Sequence, residues 1–222
     1  MRPSMPVSMP LVLMGAGGHA KVLYSLINAC GLSLLGVCDP GLAGAGTSHW
    51  RGVPVLGGNE VLETLDPDSV RLANGIGQVV GKNVRQRIYE QAREKGFIFP
   101  PLVHPSVWLD ESVTLSDGSQ LMAGAIVQPD VKIGCNSLIN TNASLDHDCQ
   151  IGDHVHVAPG SVLCGGVVVA TGAFIGSGAT VIQGVTIGER SIVGAGTVVV
   201  RDVPERSILT GPSVRPRPLA GD

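Results

Sequence analysis

The chain has 222 residues, with 15 Lys+Arg against 18 Asp+Glu and a formal net charge of −3. That balance excludes nucleic-acid binding through bulk positive charge, and 15% charged beside 44% hydrophobic residues excludes a disordered chain. Glycine is abundant (31 residues) and aromatics are few (3%), so the core must be built from Val, Ile, Leu and Ala around many backbone corners.

Met1–Pro10 holds one Arg and three prolines and no apolar run suited to a signal peptide. No apolar stretch elsewhere approaches the roughly 20 residues of a membrane span. The five cysteines (Cys30, Cys38, Cys135, Cys149, Cys164) form no CxxC pair. A reduced, cytoplasmic chain without a cysteine metal site is expected.

The first hundred residues alternate strand and helix. Leu11–Met14 reads as a buried strand that runs into Gly15-Ala-Gly-Gly-His-Ala20. Lys21–Cys30 follows as a helix ended by Gly31, and Leu34–Cys38 as a second strand closed by Asp39-Pro40-Gly41. Residues 41–58 read as a glycine-rich loop around an extended Val53–Val55. Asn59–Leu65 has helical character, Val70–Ala73 is a third strand, and 81–94 a helix capped by Gly96. This alternation predicts a small parallel sheet with both faces covered.

The second half repeats every six residues. From Leu109 in steps of six to Val193, all fifteen positions are aliphatic, and the residue four further on, Val113 to Thr197, is always small or β-branched. Each unit supplies a short strand whose aliphatic residue points inward and a tight corner. Three units close one 18-residue coil, and coils stack about 4.8 Å apart. This is the pattern of a parallel β-helix. Residues eighteen apart then stack in columns, which sets Gly165 against His147 and Gly166 against Asp148.

The hexapeptide pattern, read with the Gly15–Lys21 loop, resembles the sialic-acid O-acyltransferase-like family of left-handed β-helix acyltransferases. His104-Pro-Ser106, Ile139–Ala143, His147-Asp148-Cys149, Ile151–Asp153 and His156–Gly160 follow that family's order and spacing over residues 11–205. The resemblance implies three segments. Residues 1–100 form a Rossmann-like α/β domain that binds a nucleotide sugar, 101–205 a left-handed β-helix acetyltransferase domain, and 206–222 a C-terminal tail. It also implies a homotrimer with acetyl-CoA between neighbouring prisms, and acetylation of the 4-amino group of a nucleotide-linked amino sugar.

Amide formation from a thioester needs a base for the amine, a stabilised oxyanion and a departing thiolate. His147 is the natural general base, since imidazole titrates near neutrality. Asp148 matches the acidic member of the family's pair. Neighbours on a strand point apart, so Asp148 assists only if the corner turns it back, and Asp146 is the alternative. By resemblance, Asn140 lines the sugar side and His156 contacts the acetyl group or thioester. The Gly165 N–H, above the base, is an oxyanion donor candidate. Gly194, Ala195 and the last coil border the pantetheine arm, and Arg201 meets the CoA phosphates. The closing Gly211-Pro-Ser-Val-Arg215 departs from the family's usual Gly-x-Pro-Ala-basic ending.

In the first domain Gly15-x-Gly17-x-x-Ala20 also fits a dinucleotide fingerprint, with Asp39 in place to reach a ribose. A full double-wound sheet is missing, so a nucleotide-sugar diphosphate is the better ligand. Glycines let the backbone approach it and a helix N-terminus attracts the phosphates. Resemblance puts Gly17, Gly18 and His19 near the diphosphate and Asp39 near the nucleoside, with Lys21 adding charge. His154 is expected to face solvent, His104 to be structural, and Cys149 and Cys164 to occupy core-like slots. Three alternatives stand beside this reading. One is O-acetylation of a free sugar such as sialic acid. Another is a zinc hydratase built on His147, His154 and His156, which lack a clear third-ligand spacing. The last is a silent nucleotide-sugar sensor.

Overall fold

The computed structural model describes residues 9–78 and 81–211. Most of the 206–222 tail, including Arg215, lies outside them.

The amino-terminal part is a five-stranded sheet of β1 (Leu11–Met14), β2 (Leu34–Cys38), β3 (His49–Trp50), β4 (Val53–Gly57) and β5 (Arg71–Asn74), in the order β3-β4-β2-β1-β5. All pairings are parallel except β3 with β4. Because successive side chains of a strand point to opposite faces, β1 divides its residues between two cores. Leu11 and Leu13 pack with Leu23, Leu26 and Ile27 of helix α1 (Gly18–Ala29). Val12 and Met14 pack with Ile88, Tyr89 and Ala92 of helix α3 (Val84–Glu94). The sheet is covered on both faces, as its apolar strands require.

The segment read as a loop over 41–58 is more ordered than that. Asp39 Oδ1 accepts the N–H groups of Gly41 (2.9 Å) and Leu42 (3.0 Å), and Pro40 opens a short helix α2 (Pro40–Gly44). An N-cap carboxylate ahead of Pro is a strong helix start that glycine content obscures.

The remainder is a triangular prism of two-residue parallel strands, in sheets of six, five and seven strands. Each strand pairs with the strand eighteen residues away, as in Ile126 with Ser144 and Lys132 with Gln150. The aliphatic positions from Leu121 to Val193 are all buried, and with the Ala, Val and Cys residues four positions on they form one continuous core. Each buried Leu, Ile or Val among them stabilises the prism by about 1.5–3 kcal/mol. The repeat continues one unit at either end, with Val103 and Val199 in register. Beyond Val199 the spacing breaks, because Val203 bridges to Ile187 sixteen residues back. A last strand, Ile208–Leu209, pairs with Ile192–Val193, so the β-helix runs past residue 205.

One prism face carries the α/β part. Leu102, Gln120 and Leu138, which precede inward positions and so point outward, are each about 1% exposed, and Leu102 and Leu138 share a core with Leu11, Ala20 and Leu23.

Candidate active site

His147 occupies a prism corner following Ser144–Leu145 and is exposed. Its Nδ1 donates to Asp148 Oδ2 at 2.7 Å. The corner turns Asp148 back, because this residue has a φ of 61°, the left-handed region that Asp tolerates better than most side chains. Asp146 does something else: its Oδ1 accepts the His147 backbone N–H at 2.8 Å. The Asp148 hydrogen bond, then the charge of Asp146, raise the His147 pKa. With the proton on Nδ1, Nε2 is left as the basic nitrogen.

The column prediction holds to the atom. A Cβ added to Gly165 would lie 2.6 Å from both Cε1 and Nε2 of His147, so only glycine leaves space for the ring. The adjoining Gly166 N–H donates to the His147 carbonyl at 2.8 Å. Among the described residues the Gly165 N–H has no acceptor, so it is free to donate to a ligand.

Asn140 and His156 meet, with Asn140 Nδ2 3.1 Å from His156 Nε2. Asn140 Oδ1 accepts the Thr141 N–H at 2.8 Å, which fixes the amide so that Nδ2 faces the imidazole as donor. His156 Nε2 is then the acceptor and Nδ1 carries the proton. Among the described residues that Nδ1–H is buried without a partner, in a residue only 8% exposed and edge-on to Phe174. Burial, then the charges of Arg85 and His19, push the His156 pKa down to about 3. An orphaned buried donor costs stability unless a ligand satisfies it.

The glycine loop lies between β1 and α1. Gly15 has a φ of 91° and a Cβ there would meet Ile76 Cδ1 at 2.5 Å, so glycine is required. At Gly17, the N-cap of α1, and at Gly18, a Cβ would meet nothing within 4 Å. Among the described residues no side chain caps α1, which leaves its first N–H groups and open space together. Lys21 is exposed on the first turn. Asp39 stands against the loop, its Oδ2 accepting the Ala16 N–H at 2.9 Å. His19 turns toward the prism and bonds Gln120 Oε1 through Nε2 at 2.8 Å.

At the far end of the prism, Gly176 packs closely on the backbone of Val193–Ala195, Gly194 lies against the Thr210 side chain, Ala195 is exposed, and Arg201 lines a cleft of about 320 Å³ with Val198, Val200 and Ile208. These residues are distant in sequence and sheet position from the His147 corner.

Some expectations fail. His154 is not solvent-facing: it bonds Asn136 Nδ2 at 3.0 Å, packs edge-on to Tyr89, and burial lowers its pKa. Cys164 is only partly buried, while Cys149 is in the core and donates to the Cys164 carbonyl at 3.3 Å. His104 bonds Ser106 locally. A buried polar cluster at the junction of the two parts went unforeseen. Arg85 donates to the carbonyls of Asn74 (2.9 Å), Ile76 (2.9 Å) and Asn136 (3.4 Å), and Asn74 Nδ2 donates to Asn136 Oδ1 at 3.1 Å. A charged residue in the apolar stripe of α3, in phase with Ile88, Tyr89 and Ala92, was the available signal. Among the described residues no group of three His, Cys, Asp or Glu side chains suits a metal ion.

Comparison with known proteins accounts for both parts. Residues 10–92 match the PglD N-terminal domain and residues 130–165 the bacterial transferase hexapeptide (six repeats). Perosamine N-acetyltransferase from Caulobacter crescentus, solved with CoA and GDP-perosamine and in two structures with one histidine replaced, is 40% identical. It superposes at a TM-score of 0.83 over 91% of this chain and 93% of its own. The acetyltransferase domain of PglB from Neisseria gonorrhoeae, in complex with acetyl coenzyme A, is 32% identical, with a TM-score of 0.84 over 91% of this chain and 96% of that one. GDP-perosamine N-acetyltransferase of Escherichia coli O157:H7 is 34% identical over 97 residues, 41% of either chain. The chain spans less than half the length of the curated relatives it matches.

The prism is thus a left-handed β-helix, and with its exposed His–Asp pair it defines an acyltransferase of the hexapeptide class. The α/β part narrows the class. The chain belongs to the family of nucleotide-sugar N-acetyltransferases that set a PglD N-terminal domain ahead of the hexapeptide β-helix.

Proposed function

We propose that the protein transfers the acetyl group of acetyl-CoA to the 4-amino group of a nucleotide-linked amino sugar, with GDP-perosamine the first candidate. The observation that carries this reading is the 2.7 Å His147–Asp148 pair, whose imidazole lies against Gly165 in a space that only glycine leaves open. The amine attacks the thioester carbonyl and His147 Nε2 takes the proton that nitrogen sheds. The developing oxyanion meets the Gly165 N–H, the C–S bond breaks, and the imidazolium returns its proton to the departing thiolate, giving CoA thiol and the acetamido sugar. Asp148 holds the tautomer and stabilises the imidazolium. No covalent acyl-enzyme is needed.

Gly15, Gly17 and Gly18 with the uncapped α1 N-terminus receive the diphosphate, aided by Lys21, and Asp39 lies toward the nucleoside. Asn140 lines the sugar, and the orphaned Nδ1–H of His156 donates to the acetyl carbonyl. Gly194, Ala195 and Arg201 line the CoA arm. The nucleotide-sugar domain spans 1–100 and the acetyltransferase domain begins at 101. The active unit is a homotrimer in the cytoplasm. On one of the two prism sides not covered by the α/β part, Trp108, Ile126, Val162 and Val198 point outward in one column at 50%, 40%, 39% and 63% exposure, with Ser144 and Thr180 between them, a largely apolar strip suited to a neighbouring subunit. Among the described residues no helix is long and apolar enough to cross a membrane.

A thiol-release assay with acetyl-CoA tests the assignment against GDP-perosamine, UDP- and dTDP-linked 4-amino sugars, and free sialic acid. Turnover with one nucleotide-linked amine supports it and names the nucleotide. Turnover with sialic acid alone converts the reaction to O-acetylation and overturns the acceptor.

A further inference from the structure

The buried cluster at the junction reaches the ligand loop through one side chain. Arg85 is fully enclosed, and the acceptors it finds are backbone carbonyls rather than a carboxylate. The Asn74 carbonyl, at the end of β5, accepts from Arg85 at 2.9 Å and also from Gln120 Nε2 at 3.0 Å. A carbonyl can only accept, so the Gln120 amide has one orientation: its NH₂ toward Asn74 and its Oε1 toward His19. Gln120 is itself 1% exposed and cannot turn to water. Oε1 in turn can only accept, which requires the proton of His19 on Nε2, 2.8 Å away. His19 Nδ1 is then a bare lone pair on the first turn of α1, and among the described residues no protein group donates to it. Burial first, then the Arg85 charge, lower the His19 pKa to about 4 against the opposing Gln120 bond, so a second proton on the ring is disfavoured at neutral pH.

We infer that Gln120 is a positioning residue that holds His19 as the neutral Nε2–H tautomer, so that Nδ1 accepts a hydrogen bond from a hydroxyl or amino group of the sugar. A phosphate oxygen carries no proton to donate, so this assigns His19 to the sugar rather than the diphosphate. The inference rests on reading the glycine loop as a nucleotide-sugar site.

Solid-state ¹⁵N NMR of the whole protein, labelled at its 6 histidines, reads protonated and bare ring nitrogens separately. The His19 signals are identified by their loss in His19→Asn. At pH 7 the wild type should show His19 with a protonated Nε2 and a bare Nδ1. Gln120→Leu should lose that preference, and Gln120→Glu should drive the ring toward the doubly protonated form. In steady-state assays both variants should raise KM for the nucleotide sugar about tenfold while KM for acetyl-CoA stays within twofold. A proton on Nδ1 in the wild type overturns the inference, as does an unchanged spectrum in both variants or an equal rise in both KM values. The spectrum is recorded without substrate, so it decides the tautomer even if no nucleotide-linked amine proves to be acetylated.

Discussion

Gly165→Ala is the sharpest perturbation of the His147 site, because it adds one methyl group and removes no catalytic side chain. The new Cβ would stand 2.6 Å from His147 Cε1 and Nε2. Ordinary carbon contacts lie at about 3.5–4.0 Å, so the ring must retreat by about 1 Å. The backbone at Gly165 is not in the left-handed region, so alanine brings no strain of its own there. His147 is exposed and has room to swing out, but the swing breaks its 2.7 Å bond to Asp148 and carries Nε2 away from Gly165. A displacement of that size costs about 10²-fold in turnover, with the melting temperature nearly unchanged. Gly160→Ala is the control: its φ of +69° makes alanine costly to the fold, yet nothing lies within 4 Å of the added atom. It should lower the melting point and spare kcat. Thiol release at saturating substrates, beside thermal unfolding, separates the two. Wild-type kcat in a folded Gly165→Ala protein would refute the placement of His147 Nε2 at the reacting atoms.

Other consequences concern charge and capping. The Asp148 hydrogen bond is the largest cause of the raised His147 pKa, so the acid limb of kcat/KM should lie above pH 6.5 and move to lower pH in Asp148→Asn, with a lower plateau. His19 and His156, held near 4 and 3, stay neutral in the folded protein while the unfolded chain binds protons near 6.5. The contribution of these two histidines to folding stability should therefore be flat above pH 6.5 and fall below it by on the order of 1.4 kcal/mol per pH unit for each, and His19→Asn should flatten part of that slope in urea titrations. Asp39→Ala removes the α2 cap and the tether to Ala16 together. It should cost about 1 kcal/mol, read as a melting-point drop of about 2–4 °C, and raise KM for the nucleotide sugar without changing that for acetyl-CoA.

Much of this was legible in one dimension because the β-helix is nearly a one-dimensional object. A period of six sets which side chains point inward and a period of eighteen sets which residues stack, so the approach of Gly165 to His147 follows from counting alone. The glycine loop is equally local: a strand, a tight turn at Gly15 and a helix start are all written within ten residues. Counting stops at the corners and faces. Whether Asp148 or Asp146 reaches the imidazole depends on a single backbone torsion, the 61° φ that folds Asp148 back while Asp146 bonds the main chain. Which of three equivalent prism faces lies beneath the α/β part is decided by docking, since Leu102, Gln120 and Leu138 occupy the same repeat position as the exposed Trp108, Ile126 and Val162. Docking turned His154 from a solvent-facing residue into a partner of Tyr89 and Asn136, and enclosed Arg85, Asn74 and Gln120. Periodicity specifies what each chain segment presents, but the proton positions of His19 and His156 depend on amides and carbonyls brought up from other strands, and only the assembled tertiary structure sets those.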